Sequence, residues 1–129
     1  MQTNSFIVTI GSNDNAEDNI SSAKALLQNE FARTVFSPLQ WTPPVGLPYT
    51  KPFLNGAIRL STLLSPEALK IRLKAIEVHL GRTPEMKAMG IVPIDLDIIT
   101  FNEHIVHPDY SRFQFVKEAV DRLLKEKNQ

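Results

Sequence analysis

Two aspartates, Asp95 and Asp97, interrupt an otherwise apolar run over residues 94–99 that is typical of a β-strand. Aspartate is depleted in strands, and these two side chains would lie on the same face, about 6–7 Å apart along the chain. Two close carboxylates repel, and a hard divalent cation such as magnesium, bound together with substrate phosphates, removes the repulsion. The pair therefore predicts a magnesium-phosphate site. The alternative is a solvated strand edge, or pairing with a nearby arginine or lysine.

Common nucleotide-binding motifs are absent from the sequence. It contains no Gly-x-x-x-x-Gly-Lys-Ser/Thr loop and no His-Arg-Asp catalytic loop. A phosphate-transfer site would then need cations from separate positions, and Arg82, Lys87, His107 and Arg112 are candidates. Each of them, taken alone, is better explained as a surface residue.

A second candidate site centres on Asn55. A carboxamide offers a donor and an acceptor in one plane, so Asn55 could form hydrogen bonds with the edge of a pyrimidine-like ring. Phe53 or Phe115 could stack on the same ring. The alternative is that Asn55 caps a strand end and that both phenylalanines belong to the core. The preceding residues 42–52 hold four prolines and a glycine, which predicts a stiff loop suited to a ligand wall.

The elements that would position these residues follow from hydrophobic periodicity and from cap and turn residues. In chain order they are a strand at 6–10, a helix from 16 to about 31, an edge or bulged strand at 34–41, a strand at 53–60, a helix at 66–80, a loop at 82–93, a strand at 94–99, a short strand at 104–107 and a closing helix at 111–127. The order β-α-β-β-α-β predicts an α+β fold of the ferredoxin-like, split βαβ type with a C-terminal helix. Its helices should cover one face of the sheet and leave the other face free for ligands.

Composition narrows the class of protein. The 129 residues fit a single domain over 1–129, and a formal net charge of zero argues against a nucleic-acid or membrane-surface partner. The absence of cysteine excludes a thiolate nucleophile, a disulfide framework and a cysteine-ligated metal. With no apolar run of membrane-spanning length and no secretory signal pattern, we expect a cytoplasmic protein. An edge strand around Pro38 is compatible with a monomer or a weak dimer.

Taken together, these segments resemble the 6-hydroxymethyl-7,8-dihydropterin pyrophosphokinase (HPPK) family, folate-pathway enzymes that move the terminal diphosphate of ATP to a pterin hydroxymethyl group. The matching segments, in chain order, are Ile10-Gly11-Ser12-Asn13, Thr42-Pro43-Pro44-Val45-Gly46, Phe53-Leu54-Asn55, Ile76-Glu77 with Leu80-Gly81-Arg82, and Ile94-Asp95-Leu96-Asp97-Ile98-Ile99. Each segment is weak evidence alone, but their order and spacing together are specific. The resemblance runs from the first strand to about Phe115.

The resemblance implies roles for particular residues. Asp95 and Asp97 would hold two magnesium ions and, with Arg82, form the catalytic group. The implied pterin contacts are Thr42, Pro43, Pro44, Val45 and Asn55, with Phe53 and Phe115 on the two sides of the ring. The implied contacts to the co-substrate ATP are Glu77, Arg82, Ile98, His107 and Arg112. Magnesium would bridge the ATP phosphates, and the pterin hydroxyl would attack the β phosphorus without a covalent enzyme intermediate.

Departures from the family pattern fall mainly on the ATP side. Pro84 and Val92 stand where the family has arginine, and the loop tryptophan is missing. Arg112 precedes Phe115 by three residues where the family spacing is two, and Phe53 replaces the usual tyrosine. Phosphoryl transfer depends on charge stabilisation, so the expectation is a slow enzyme. The alternatives are a weak or inactive relative that binds a pterin or nucleotide as a sensor or partner subunit, and an unrelated ferredoxin-like interaction domain.

Overall fold

A computed structural model describes residues 2–126, which form one antiparallel sheet and five helices. The strands are β1 (Asn4–Ser12), β2 (Ala32–Phe36), β3 (Gln40–Thr42), β4 (Phe53–Thr62), β5 (Asp95–Phe101) and β6 (His104–Ile105). The helices are α1 (Ala16–Glu30), α2 (Pro66–His79), α3 (Pro84–Ala88), α4 (Asp109–Arg112) and α5 (Gln114–Glu126). Over these residues, no helix combines the length and the apolar character that crossing a bilayer requires.

The strand order of the sheet is β2-β4-β1-β5-β6, and β3 pairs with β4 beside β2. The first strand therefore lies in the middle, between the strands that precede and follow α2, and every strand pair is antiparallel. This is the arrangement that the order β-α-β-β-α-β predicts, and the α+β class is confirmed.

Helices α1 and α2 cover the first face of the sheet. The buried side chains on this side include Phe6, Val8, Ile10, Ile20, Leu27, Ile58, Leu60, Leu69 and Leu73. The predicted signals of α2 are confirmed: Ser65 Oγ accepts a bond from the Ala68 amide at 3.2 Å, and Pro66 takes the first helical position. Gly81, at φ +99°, follows the end of the helix, where a left-handed conformation favours glycine.

The second face is not free, contrary to expectation, because α5 packs across half of it. Its apolar stripe forms a second core whose buried members are Ile7, Ala57, Ile99, Val116, Val120 and Leu123. A helix that buries a stripe must place it against some surface, and the first face is already occupied by α1 and α2. The part of this face that α5 leaves open carries Asn55, Asp95 and Asp97.

The predicted edge strand at 34–41 is real but divided. Strand β2 ends at Phe36 and β3 begins at Gln40, with Pro38 in the break. Proline has no amide hydrogen for the ladder, and Ser37 bridges the gap: its amide donates to Ala57 O at 2.9 Å, and its Oγ accepts from the Ala57 amide at 2.9 Å. Both halves of the edge therefore stay attached to β4.

Two other boundaries differ from the sequence prediction. The predicted loop at 82–93 contains α3, a five-residue helix that starts at Pro84 and is too short to show periodicity. The predicted closing helix is two helices, because Phe113 adopts an extended conformation (φ −126°, ψ 121°) between α4 and α5. The interruption brings Phe113 to the wall of a cavity on the second face. Lys127, the predicted last helical residue, lies outside the described residues.

We expect Leu123→Ala in α5 to lower the free energy of unfolding by about 2–5 kcal/mol, because Leu123 is fully buried in the second core. Chemical denaturation measures the change. The control is Ile71→Ala on α2, where the side chain is 70% exposed and the cost should be within about 0.5 kcal/mol. Equal costs for the two substitutions would contradict the packing of α5 on the sheet.

Candidate functional site

A cavity of about 230 Å³ opens on the second face beside the start of α5. Among its lining residues are nine of the residues that the sequence proposes for the site: Thr42, Pro43, Val45, Phe53, Asn55, Arg82, Asp95, Asp97 and Phe115. The lining also includes Gly11, Tyr49, Asp109 and Phe113, for which no role follows from the sequence. The structure thus brings the candidate metal residues and the candidate ring-binding residues into one cavity.

Sheet register explains why the two groups meet. Gly11 on β1 is the direct neighbour of Asn55 on β4 and of Asp95 on β5, and Thr9 is the neighbour of Asp97. Side chains alternate between the two faces of a strand, so Asn55, Asp95 and Asp97 all project from the same face. Gly11 leaves the floor between them open, since a Cβ atom there would lie 2.8 Å from Asn55 Oδ1.

Arg82 lies between two acidic side chains, Asp95 and Glu77. Its Nη1 donates to Asp95 Oδ1 at 2.8 Å and to Ile94 O at 3.2 Å, and it lies 3.2 Å from Glu77 Oε1. The alternative in which an arginine pairs with the aspartates is therefore realised at Asp95. This ion pair provides Asp95 with a positive charge within the protein.

Glu77 is buried beneath this ion pair, with only 4% of its surface exposed. Its Oε2 accepts a bond from the Leu96 amide at 2.8 Å, so the carboxylate is attached to β5 itself. Burial raises the pKa of Glu77, against the Leu96 bond and the charge of Arg82, which favour the ionised form. Within the protein, Glu77 supports Arg82 and the strand that carries the aspartates. The ATP contact that the resemblance implies for Glu77 stays a prediction.

Asp97 lies where negative charge accumulates. Burial, together with the charge of Asp95 and a hydrogen bond to it, raises the pKa of Asp97 to about 7. Ligand-type atoms of Asp97, His107 and Asp109 all lie within 4.8 Å of one another, and the Asp109 amide donates to His107 Nδ1 at 3.0 Å. Asp109 was missed because a single aspartate after a His-Pro pair carries no signal of its own in the sequence.

Aromatic side chains form another part of the cavity wall. Tyr49 and Phe53 meet edge to face, with ring centres 5.5 Å apart and planes at 76°. Phe113 and Phe115 lie 5.5 Å apart with their planes at 33°. Each member of the proposed stacking pair, Phe53 and Phe115, thus has a second aromatic neighbour. Tyr49 also brings a phenol to the cavity, where the resemblance expects a tyrosine in place of Phe53.

Five proposed site residues are not part of the cavity lining: Pro44, Glu77, Ile98, His107 and Arg112. Ile98 packs against the core of the first face. Arg112 has a side chain that is 65% exposed, with its Nη1 3.6 Å from Asp109 Oδ1 and its guanidinium 5.1 Å from the centre of the Phe113 ring. Among the described lining residues, Arg82 is therefore the one cation beside three aspartates.

The segment after α3 is attached to the end of β1 and to the proline-rich loop, which joins β3 to β4 over residues 43–52. Asn13 Nδ2 donates to Gly90 O at 2.8 Å, and its Oδ1 accepts from the Val92 amide at 2.7 Å. Gly90, at φ +73°, packs so closely on the other loop that a Cβ would lie 2.4 Å from Pro48 O. The buried Val92 contributes an apolar surface to the cavity at a position where the resemblance expects an arginine.

Comparison with known families gives a match over nearly the whole chain. Residues 7–125 match the family described as 7,8-dihydro-6-hydroxymethylpterin-pyrophosphokinase (HPPK). The matched region includes β1 from its fourth residue, all the other strands, the whole cavity and both loops beside it.

Three curated proteins illustrate the similarity. The Bacillus subtilis 2-amino-4-hydroxy-6-hydroxymethyldihydropteridine pyrophosphokinase is 36% identical over 105 residues, covering 79% of this chain and 62% of the relative. A protein of the same name from Porphyromonas gingivalis is 36% identical, with coverage of 69% and 60%. The Arabidopsis thaliana folate synthesis bifunctional protein is 34% identical, with coverage of 84% and 24%. The chain thus spans less than two thirds of the length of these relatives.

We expect Asp97→Asn to stabilise the metal-free protein at pH 8 but not near pH 4. The pKa of this carboxyl is raised from 3.8 to about 7 on folding, so the folded state binds more protons between these values and wild-type stability falls as pH rises through them. Urea denaturation in EDTA at pH 4 to 8 measures the difference between variant and wild type. A difference that is constant over this range would contradict the raised pKa.

Proposed function

The chain belongs to the 7,8-dihydro-6-hydroxymethylpterin-pyrophosphokinase family, and on this basis we propose that it transfers diphosphate from ATP to 6-hydroxymethyl-7,8-dihydropterin in a magnesium-dependent reaction. The observation that carries the proposal is the single cavity in which Asn55 and the aromatic side chains lie beside Asp95 and Asp97. A ring bound on one side and a polyphosphate bound through cations on the other would meet within it.

The charges of the cavity fit a magnesium site. Three aspartates face one guanidinium among the lining residues, and burial, together with the acidic neighbours, raises the pKa of Asp97 to about 7. A polyphosphate alone would be repelled by this surface, whereas carboxylate oxygens are ligands that magnesium prefers. Asp95 and Asp97 would hold two ions, which would neutralise the phosphates and the carboxylates together.

The protein's own groups would position and stabilise rather than react. The hydroxyl oxygen of the pterin forms a bond to the β phosphorus and releases its proton to solvent. The bond from that phosphorus to the α–β bridging oxygen breaks, and AMP leaves with the electron pair of that bond. Arg82 lies close enough to Asp95 to donate to a phosphate beside it, and Glu77 holds its guanidinium in place. On the other side, Asn55 reads the ring edge while Phe53 and Phe115 contact its faces.

The small number of cations in the cavity implies that diphosphate transfer is slow. Arg82 is the cavity's one cation among the described lining residues, and Val92 fills a position where the resemblance expects a second. Preorganised positive charge is usually a large contributor to phosphoryl transfer, so fewer cations mean weaker stabilisation of the transition state. A binding protein without activity would use the same cavity and would differ only in turnover.

The first test is the double substitution Asp95→Asn with Asp97→Asn, which should abolish magnesium-dependent nucleotide binding because both carboxylates are lost. Calorimetric titration with α,β-methylene-ATP, whose α–β bond cannot be cleaved, measures binding with and without magnesium, and thermal melts check the fold. The control is Glu17→Gln with Asp18→Asn on the exposed side of α1, which changes the net charge equally. Unchanged affinity in a folded Asp95/Asp97 variant would refute the metal site.

The second test is turnover. Wild-type protein with magnesium, ATP and 6-hydroxymethyl-7,8-dihydropterin should release AMP slowly, with measurable pterin binding and weak ATP binding. Arg82→Ala should slow AMP release by about two to three orders of magnitude, whereas Arg72→Ala on the exposed side of α2 should leave it unchanged. Chromatographic measurement of AMP decides the matter. A wild type that binds both ligands and forms no AMP over days would favour the binding-protein alternative.

A further inference from the structure

The carboxamide of Asn55 is anchored at one end. Its Nδ2 donates to Thr42 Oγ1 at 2.6 Å, across the β3–β4 pair in which Thr42 lies opposite Phe53. A short bond between a strand residue and its neighbour fixes the plane of the amide, since the backbone ladder already fixes both Cα positions. In this arrangement the nitrogen end of the carboxamide is turned toward β3.

The other end of the carboxamide lies over Gly11. A Cβ at this position would approach Asn55 Oδ1 to 2.8 Å, closer than a carbon and an amide oxygen can pack. Within the part of the chain that the structure describes, the Oδ1 atom accepts no hydrogen bond from the protein. Because Gly11 has no side chain, the Asn55 oxygen has room above it and stays accessible from the cavity.

We propose that Thr42 and Gly11 are positioning residues that hold the Asn55 carboxamide with its oxygen presented to the ligand. The inference rests on the proposed function, which supplies a ring ligand for this cavity. Thr42 acts through its hydroxyl, and Gly11 acts by having no side chain. Neither role needs the residue itself to touch the ring.

The carboxamide oxygen of Asn55 determines which edge of a ring ligand can bind opposite it. An acceptor left unpaired in a partly buried site is costly, so the ring edge opposite Asn55 must carry a donor. The name of the Bacillus subtilis relative specifies a 2-amino group, and an amino group is such a donor. The site should therefore discriminate a 2-amino ring from one with oxygen at the same position, and Thr42 should be needed for that discrimination.

The test compares two ligands and two threonine variants. Fluorescence or calorimetric titration gives the affinities for 6-hydroxymethylpterin and for 6-hydroxymethyl-lumazine, in which oxygen replaces the 2-amino group, with and without saturating magnesium and α,β-methylene-ATP. Thr42→Val removes the hydroxyl at constant shape and should weaken pterin binding roughly two- to tenfold, the worth of one hydrogen bond. Thr42→Ser keeps the hydroxyl and should bind pterin as the wild type does.

The matched control is Thr62→Val at the other end of β4. Its hydroxyl also accepts a backbone bond, from Leu64 at 3.3 Å, but it lies far from the cavity lining. This variant should leave pterin binding unchanged. The affinity for α,β-methylene-ATP with magnesium should be unchanged in all three threonine variants. Thr42 acts only on the part of the cavity that binds the ring, and Thr62 lies outside the cavity lining.

The decisive quantity is the ratio of the two ligand affinities. The inference predicts a large pterin preference in wild type that shrinks in Thr42→Val. Gly11→Ala, whose new methyl group must displace the oxygen, should shrink it as well, so the test remains decisive even if Thr42→Val does not fold. A preference that persists undiminished in the folded variants would overturn the inference while leaving the proposed function intact. A wild type that binds neither ring under either condition would overturn both.

Discussion

An imbalance of charge at the start of β5 organises the site. Asp97 lies close to both Asp95 and Asp109. Arg82 pairs with Asp95, and Glu77 holds the guanidinium from the buried side. Carboxylates lose hydration when they are buried together, so the arrangement persists only with internal bonds or with protonation. Asp95 receives the bond, and Asp97 responds with a pKa near 7. The protein alone therefore leaves the cluster only partly neutralised, which is the condition in which a divalent cation is most favourable.

The sheet, rather than the surrounding loops, sets the distance between the two halves of the cavity. Gly11 on β1 has Asn55 on one side and Asp95 on the other, each a direct partner in an adjacent strand. Neighbouring strands lie about 4.8 Å apart, so the backbone positions that carry the carboxamide and the carboxylate are separated by about twice that spacing. Backbone ladders are among the least deformable parts of a domain. The loops and α5 supply walls and aromatic surfaces around a spacing that they do not determine.

Part of this arrangement follows from sequence reasoning. The period of two places Asp95 and Asp97 on one face, and turns Asn55 away from the core that α1 and α2 cover. The position of α5 could not be derived, because an amphipathic stripe shows that a face is buried but not which surface buries it. The partners of Arg82 are 5 and 13 residues away, and no local pattern marks which of several cations will reach the aspartates. Asp109 enters the cluster only because the chain turns at α4.

The close approach of Gly90 to the Pro48 carbonyl has a consequence for engineering this scaffold. No side chain fits between the two backbones, so the proline-rich loop and the segment after α3 are complementary in shape over that contact. Asn13 fixes the second segment to the end of β1 through both ends of its carboxamide. A chimaera that imports one of these loops from a longer relative would bring a mismatched surface to the junction. The two loops, together with Asn13, form the smallest unit that can be transplanted as a whole.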